Sequence, residues 1–349
     1  MRGCRAARSA PAAAPSASRR VLSVLAAFFA LVLGLSNADA LGPDSIAMMV
    51  RRSFEGGMAK APPGHEALEA KVKILENLDY GSASPDGFLD LYTPSEAEGS
   101  LPLILWVHGG AYVGGDKEDN RILSVQLAAR GYAVAVINYR RAPEALYPSP
   151  LLQIGEAWRF LSLRADSLGL DLGRVFLAGD SAGAQMIAQW AFFQADPEYA
   201  RRVGIEPVAK GFKFRGLLLF CGPYDLGLLA GEKDPVKRYI YRRLGWAYFG
   251  DKAWSRSEAA ALASVVDHIP RGAALSLPPV FITDANTHSF EEHGRLLAER
   301  LEAAGVPVSM LFFPRSEVRI WHEYQFRLDT LEGRRCLETV LGFLETHSE

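Results

Sequence analysis

The candidate nucleophile of this sequence is Ser181, at the centre of the pentapeptide GDSAG. The apolar run RVFLAGD leads into it, and the helix-prone segment AGAQMIAQWAFFQA follows it. A tight turn between a strand and a helix exposes a serine hydroxyl above a sheet, and the flanking glycines let the two elements approach closely. The first amides of the helix would favour developing negative charge beside the hydroxyl. This pattern predicts nucleophilic attack on a carbonyl carbon.

A candidate oxyanion hole follows the apolar run LPLILWV, in the residues HGGAY that begin at His108. Glycines at a strand end leave backbone amides free to point at a substrate oxygen. We predict that the amides of Gly109, Gly110 and Ala182 bind that oxygen. A plain Gly-Gly turn is the alternative, and the position at the end of a second core strand, upstream of Ser181, favours the functional interpretation. His108 is expected to position this loop rather than to act as a base.

The base for a serine nucleophile is expected to be a histidine after the last predicted strand, PVSMLFF. Two of the seven histidines, His322 and His347, follow that strand. His347 is close to the C-terminus, where chains are often poorly ordered. His322, in IWHEYQF before the final predicted helix, is therefore the predicted base.

The third member of such a triad is a carboxylate, expected after the strand that precedes PVSMLFF. Asp284 is the only aspartate in VFITDANTHSF, and it would hold the imidazole of His322 in the correct tautomer. The alternative is that Asp284 only caps the next turn. Glu291, Glu292 and Asp225, the last in GPYDL, remain open as other candidates for the acid.

Six apolar runs must position these residues. They alternate with amphipathic helical stretches and are LPLILWV, YAVAVINY, RVFLAGD, FRGLLLFCG, LPPVFITD and PVSMLFFP. Short apolar strands between helices indicate a parallel sheet that is covered on both faces, hence an α/β fold. KVKILENLDY and GFLDLYTP are predicted as two edge strands before them. Ligands of such sheets bind beyond the carboxyl ends of the strands, where the candidate residues stand.

The segments HGGAY, GDSAG, NYRRAPEALYPSP and GPYDL together resemble the α/β-hydrolase superfamily, and more narrowly the hormone-sensitive-lipase-like and small carboxylesterases. The resemblance covers about residues 72–347. It implies an α/β-hydrolase fold, with a mostly parallel central sheet, helices on both faces and a helical lid insertion. It also implies a Ser-Asp-His carboxylesterase without metal or cofactor, with Ser181 as nucleophile, His322 as base and the same three amides as oxyanion hole.

Two departures from the family pattern accompany the resemblance. Ala111 stands where the lipase-like branch commonly has a third glycine. Thr287 and His288 stand where much of the superfamily carries its acid, four or five residues beyond the strand. The expected lid is the insertion 227–275, which is predicted to form one or two helices outside the sheet. Its segment YIYRRLGWAYFG mixes aromatic and basic residues and would give apolar walls for an acyl chain.

The composition excludes several other classes of protein. The chain has 349 residues, is 49% hydrophobic and 22% charged, and has a formal net charge of −2, so we expect no nucleic-acid partner. Cys4, Cys221 and Cys336 show no metal-ligand spacing, and the last two are expected to be buried thiols. No metal or cofactor site is predicted.

The first forty residues have the pattern of a targeting segment. An arginine-rich stretch precedes VLSVLAAFFALVLGL and the small residues of NADA, which is typical of a secretory signal peptide. An organelle transit peptide and an uncleaved anchor are the alternatives. We expect residues 1–40 to be this segment, residues 41–349 to be one catalytic domain without a stable membrane span, and the mature protein to be a monomer or homodimer.

The sequence therefore predicts a serine hydrolase that cleaves carboxylic esters with small to medium acyl chains through an acyl-enzyme. An amidase, formamidase or deacetylase could use the same triad. A non-catalytic receptor or scaffold on the same fold is the third hypothesis, and the presence of both a nucleophile and a base disfavours it.

Overall fold

The computed structural model describes residues 42–54, 57, 59–270 and 275–348. The predicted targeting segment and Cys4 lie outside the described residues, as does part of the predicted insertion. Among the described residues, Cys221 and Cys336 are free and buried, as expected. No helix in this part of the chain is long and apolar enough to cross a membrane.

The described residues form an eight-stranded sheet in the order β1-β2-β4-β3-β5-β6-β7-β8. Its strands are β1 (Val72–Asp79), β2 (Phe88–Pro94), β3 (Leu101–Val107), β4 (Ala133–Ile137), β5 (Leu170–Asp180), β6 (Gly216–Phe220), β7 (Val280–Thr283) and β8 (Val308–Leu311). The pairs β1–β2 and β2–β4 are antiparallel, and the pairs from β4 to β8 are parallel. All six apolar runs are strands, which confirms the predicted mostly parallel sheet. Of the two predicted edge strands, β1 lies at the edge and β2 lies inside it.

Helices cover both faces of the sheet. They are α1 (Pro43–Phe54), α2 (His65–Glu69), α3 (Arg121–Ala128), α4 (Ser149–Leu163), α5 (Ala165–Leu168), α6 (Ala182–Ala195), α7 (Pro197–Val203), α8 (Leu226–Ala230), α9 (Pro235–Phe249), α10 (Glu258–Ala263), α11 (Glu291–Ala303) and α12 (Leu331–His347).

Strand β3 explains why both faces need cover. Because side chains alternate along a strand, Leu103 and Leu105 join the core that contains α4 and α6, whereas Ile104 and Trp106 join the core that contains α3 and α12. All four side chains are essentially buried, and each stabilises the fold by about 2 kcal/mol relative to an exposed position. This two-sided core holds the parallel strands in place, so that their carboxyl ends lie together along one side of the sheet.

The insertion between β6 and β7 lies outside the sheet. The sequence predicted one or two helices there, and the described part holds three α-helices, α8 to α10, with two short 3₁₀ turns. Local signals divide the insertion into more helices than predicted. Asp234 caps the start of α9, and Gly250 ends this helix in a left-handed conformation. Two buried glutamines of α6 hold the insertion down, since Gln185 and Gln189 donate to backbone carbonyls at the end of α10 over 2.8 and 3.0 Å.

Candidate active site

Ser181 sits on the turn between β5 and α6, with a backbone φ of 49° and ψ of −118°. Such a left-handed φ is uncommon for a residue other than glycine, and it turns the hydroxyl out of the sheet. The turn also needs its glycines: a Cβ on Gly183 would lie 2.1 Å from the carbonyl oxygen of Val107. The amide of Ser181 donates to the carbonyl of Phe220 over 2.8 Å, which fixes the turn against β6.

His322 contacts this serine although it lies 141 residues further along the chain. Its Nε2 lies 3.0 Å from Ser181 Oγ, a hydrogen-bond distance. The ring packs edge-on against Phe290, with 5.3 Å between ring centroids. Burial lowers the pKa of His322 to about 4, with a smaller contribution from His288, so the neutral ring is able to accept the serine proton.

The segment that carries His322 is joined to the loop after β7 by hydrogen bonds. The amide of Thr287 donates to the carbonyl of Ile320 over 2.9 Å, and the amide of His322 donates to the carbonyl of Thr287 over 3.1 Å. The side chain of Asn286 adds a third link, because its Oδ1 accepts from the amide of Ile320 over 2.9 Å. Thr287 thus stands where many relatives in the superfamily have an acid, and here its backbone positions the base.

Asp284 lies next to His322 without a direct hydrogen bond to it. Its carboxylate, a ring nitrogen of His322 and the sulfur of Cys221 lie within 4.8 Å of one another. The two carboxylate oxygens accept from the amides of Ala285 and Phe290 over 2.7 and 2.9 Å, and His322 Nδ1 is buried without a hydrogen-bond partner. Burial raises the pKa of Asp284 to about 7. Its role as the triad acid stays a prediction.

The other candidate acids have different partners. Asp225 caps α8 by accepting from the amide of Leu228 over 2.8 Å. Glu291 pairs with Arg295 over 2.8 Å, one helical turn further along α11. Glu292 is exposed. Asp284 is therefore the one of the four candidates that the structure places in the group with His322.

Cys221, Asp284 and His322 also form the group of potential metal ligands in the described part of the chain. Thiolate, carboxylate and imidazole are ligands that zinc accepts. However, both oxygens of Asp284 already accept backbone hydrogen bonds, and His322 faces Ser181. We assign no metal to this group.

The loop after β3 differs in one respect from the sequence prediction. The amide of Gly109 donates to Asp180 Oδ2 over 2.7 Å in a buried position, so this N–H is already engaged and is not free for a substrate oxygen. The geometry therefore speaks against the predicted role of the Gly109 amide. Ala111, with a φ of 54°, lines the same cavity as Ser181 and Ala182, which places its backbone beside the nucleophile.

His108 contacts its own loop and Tyr139, in agreement with the expected positioning role. Its Nδ1 lies 2.6 Å from the carbonyl oxygen of Gly109, and its ring stacks on Tyr139 with 4.5 Å between centroids. The hydroxyl of Tyr139 donates to the carbonyl of His108 over 3.0 Å. Burial lowers the pKa of His108, which favours the neutral ring.

An apolar cavity opens beside the serine, between the sheet edge and the insertion. Its volume is about 50 Å³. The insertion supplies six of its thirteen lining residues, which are Ala111, Tyr112, Ser181, Ala182, Pro223, Leu226, Leu229, Tyr241, Leu244, Gly245, Phe249, Trp254 and Phe290. The rings of Phe249 and Trp254 stack with 5.5 Å between centroids, which stiffens one side of the cavity.

Glu323 is a site residue that the sequence reasoning missed. It follows His322 directly, is buried, and lies beside Gly109 together with Asp180, which precedes Ser181. The available signal was position alone: two carboxyl groups each stand next to a candidate catalytic residue in GDSAG and WHEY. Sequence spacing does not show that the two meet.

Comparison with known proteins agrees with this architecture. The BD-FAE family model matches residues 89–292, which is more than half of the chain. Carboxylesterase NlhH of Mycobacterium tuberculosis is 30% identical over 270 residues, which cover 72% of this chain and 80% of the relative.

Two further matches differ in coverage. The isoprenylcysteine alpha-carbonyl methylesterase ICME of Arabidopsis thaliana is 25% identical over 264 residues; the match covers 75% of this chain and only 59% of the plant protein. Among solved structures, esterase B from Lactobacillus rhamnosis superimposes with a TM-score of 0.71 at 22% identity, covering 88% of this chain and 96% of the other. At 22% identity this match supports a shared fold and says nothing about a shared substrate.

Proposed function

Since this chain belongs to the BD-FAE family and to the carboxylesterase branch of the α/β-hydrolase superfamily, we propose that it hydrolyses short-acyl carboxylic esters through Ser181, His322 and Asp284. The observation that carries the proposal is the 3.0 Å contact between His322 Nε2 and Ser181 Oγ, formed by residues 141 positions apart in the sequence. A nucleophile and a base at this distance are the minimum that acyl transfer requires.

In the first step His322 accepts the proton of Ser181 while Oγ attacks the ester carbonyl carbon. The resulting oxyanion is bound by backbone amides, for which we propose Gly110, Ala111 and Ala182. His322 then gives the proton to the leaving alcohol as the carbon–oxygen bond breaks, which leaves an acyl group on Ser181. A water molecule, deprotonated by His322, attacks this acyl-enzyme and releases the acid.

Asp284 would act on this cycle electrostatically. The imidazolium that forms in each half-reaction is buried, and a buried cation needs a nearby anion. The Asp284 carboxylate lies within 4.8 Å of the ring, and the amides of Ala285 and Phe290 hold that carboxylate in place.

The size of the apolar cavity supports a short acyl chain. A single water needs about 10–15 Å³ of such space, so a cavity of about 50 Å³ holds only a few heavy atoms. An acetyl to butyryl group matches this volume, whereas an octanoyl chain would require the aromatic walls to move. The insertion would then act as a lid that limits acyl length.

The test is a series of p-nitrophenyl esters from acetate to octanoate, with an N-formyl amide alongside. We expect kcat/KM to be highest between acetate and butyrate and to fall at least tenfold by octanoate, with Ser181→Ala at background. Absence of ester hydrolysis above the Ser181→Ala background would contradict the proposed activity. A preference for the formyl amide would move the activity to the amidase alternative.

A further inference from the structure

Two buried carboxyl groups flank the proposed catalytic pair. Asp180 precedes Ser181, Glu323 follows His322, and the side chains are only 3% and 5% exposed. The two carboxyl groups lie against the same atom position, because a Cβ on Gly109 would be 2.5 Å from Asp180 Oδ2 and 2.8 Å from Glu323 Oε1. Because a hydrogen bond between two carboxyl groups needs a proton on one of them, the pair carries at most one negative charge when the bond is formed.

The partners of the pair show which member is protonated. Asp180 Oδ1 accepts from the indole N–H of Trp106 over 2.7 Å and from the side-chain amide of Asn120 over 3.2 Å. Its Oδ2 accepts from the amide of Gly109 over 2.7 Å. Because all three of these partners are donors, Asp180 acts here as an acceptor, and the geometry places the shared proton on Glu323.

The surroundings of the pair disfavour a second negative charge, on Glu323. Burial, together with the neighbouring carboxyl groups of Asp180, Asp119 and Asp284, raises the pKa of Glu323 well above its ordinary value. This shift favours the neutral form of Glu323, which is able to donate a hydrogen bond.

The pair joins three segments of the site. Glu323 holds a left-handed backbone, with a φ of 60°, which is uncommon for a glutamate and directs its side chain back toward β5. The loop after β3 that begins at His108, here called the oxyanion loop, packs directly on both carboxyl groups, since a Cβ on Gly109 would lie 2.5 Å from Asp180 Oδ2 and 2.8 Å from Glu323 Oε1. The nucleophile turn, the oxyanion loop and the base segment thus meet at one proton-dependent contact.

We propose that protonated Glu323 is a positioning residue, whose hydrogen bond to Asp180 holds the His322 segment so that Nε2 stays in reach of Ser181 Oγ. This inference rests on the proposed esterase function and deepens it. Loss of the shared proton would place two carboxylates side by side, and their repulsion would move the base away from the nucleophile. The enzyme would therefore lose turnover reversibly at alkaline pH.

Other titratable groups face the pair and bear on its pH dependence. They come from the oxyanion loop, the adjoining 3₁₀ turn and the ends of β4, β6 and β7, and are His108, Asp116, Asp119, Tyr139, Arg141, Cys221 and Asp284. Burial raises the pKa of Asp119 to about 6, so Asp119 is ionised before the alkaline range begins. Burial raises the pKa of Cys221 and Tyr139 well above their ordinary values, which keeps both neutral there.

The experiment is the pH profile of kcat and KM for the wild type and two variants. Glu323→Gln keeps the shape and an N–H donor for Asp180 but has no proton to lose. We expect its kcat at pH 7 to stay within a few-fold of wild type and its alkaline limb to vanish or move to higher pH. Glu323→Ala removes the contact, so we expect kcat to fall about 100-fold with little change in KM, as for a misplaced catalytic group. Glu292→Gln, on the exposed face of α11, is the matched control.

Two results would overturn the proposal. The first is an alkaline limb in Glu323→Gln that coincides with that of the wild type while both remain folded by circular dichroism. The second is an unchanged kcat in folded Glu323→Ala. If Glu323→Ala does not fold, the profile of Glu323→Gln decides alone. Failure of the esterase function itself would appear separately, as absence of wild-type turnover at pH 7.

Discussion

Two cavities of different character adjoin the proposed catalytic residues. Beside Gly109, a cavity of about 20 Å³ has a lining that combines His108, Asp119, Asp180 and Glu323 with apolar residues such as Phe326; we call this the polar side. On the substrate side, an apolar cavity of about 50 Å³ is lined mainly by aromatic and aliphatic side chains. The polar side is built from buried hydrogen bonds with fixed directions, whereas the apolar side is built from surfaces that only exclude volume. Changes on the polar side should therefore alter kcat, and changes on the apolar side should alter which acyl chains are accepted.

The largest effect is expected from Asp284→Asn. The substitution removes the anion beside the imidazolium, so we expect kcat to fall by about 10⁴-fold with little change in KM. Steady-state kinetics on p-nitrophenyl acetate measures both values. Asp225→Asn is the control, because asparagine still caps α8. Full activity in Asp284→Asn together with inactivity in Asp225→Asn would assign the acid to Asp225.

Gly109→Ala tests the packing of the oxyanion loop on the polar side. The new Cβ would lie 2.5 Å from Asp180 Oδ2, so the loop must shift and its amide N–H groups would no longer point at the substrate oxygen. Loss of one such donor costs about 10²-fold or more in kcat, which is the drop that we expect. Gly342→Ala in α12, where a Cβ meets nothing within 4 Å, should leave kcat unchanged. Equal kcat in the two variants would show that the loop tolerates displacement.

Leu229→Ala tests the apolar side. Leu229 lines the acyl cavity and is 7% exposed, so its truncation enlarges the cavity. We expect the ratio of kcat/KM for octanoate over acetate to rise about tenfold, at a cost of roughly 2 kcal/mol in the free energy of unfolding. Leu163→Ala, at a position 87% exposed, provides the matched control. An unchanged ratio would mean that another part of the site limits acyl length.

The smallest effect is expected at an ion pair whose two residues line neither cavity. Arg51 of α1 donates to both carboxylate oxygens of Glu144 over 2.7 and 2.5 Å. This hydrogen bond holds the pKa of Glu144 at about 2, below its ordinary value of 4.5. The contribution to stability is therefore present above pH 4.5 and is lost as the pH falls toward 2.

Glu144→Gln should cost at most about 1 kcal/mol in the free energy of unfolding at pH 7, because both side chains are about one-third exposed. Urea unfolding at several pH values measures the difference, which should shrink under acid conditions. Activity should not change, since neither residue lines a cavity beside Ser181. A difference that grows on acidification would contradict this assignment.

Sequence patterns predicted what depends on local chemistry. Apolar runs predicted the strands, because a parallel sheet buries both faces of each one. The glycines around Ser181 predicted its turn, since strand and helix meet there without room for a Cβ. Chain order predicted His322, whose contact with Ser181 is present at 3.0 Å.

The rest depends on contacts between distant segments. The Gly109 amide looked free in sequence, but the carboxylate of Asp180, 71 residues later, accepts its hydrogen bond. The position of Glu323 next to His322 was not enough to identify it, because its proposed role requires a left-handed backbone and a partner on β5. The short helices of the insertion were undercounted, because side-chain caps such as Asp225, Asp234 and Ser257 begin helices that hydrophobic periodicity alone does not separate.

The most direct test of the central claim is covalent labelling by a fluorophosphonate or phenylmethylsulfonyl fluoride, followed by intact-mass and peptide mass spectrometry. An activated serine displaces fluoride and retains the reagent on Oγ. We predict one adduct per chain, located at Ser181, absent in Ser181→Ala and formed far more slowly in His322→Ala. A folded wild-type protein that acquires no adduct, or that is labelled equally fast without His322, would contradict the account.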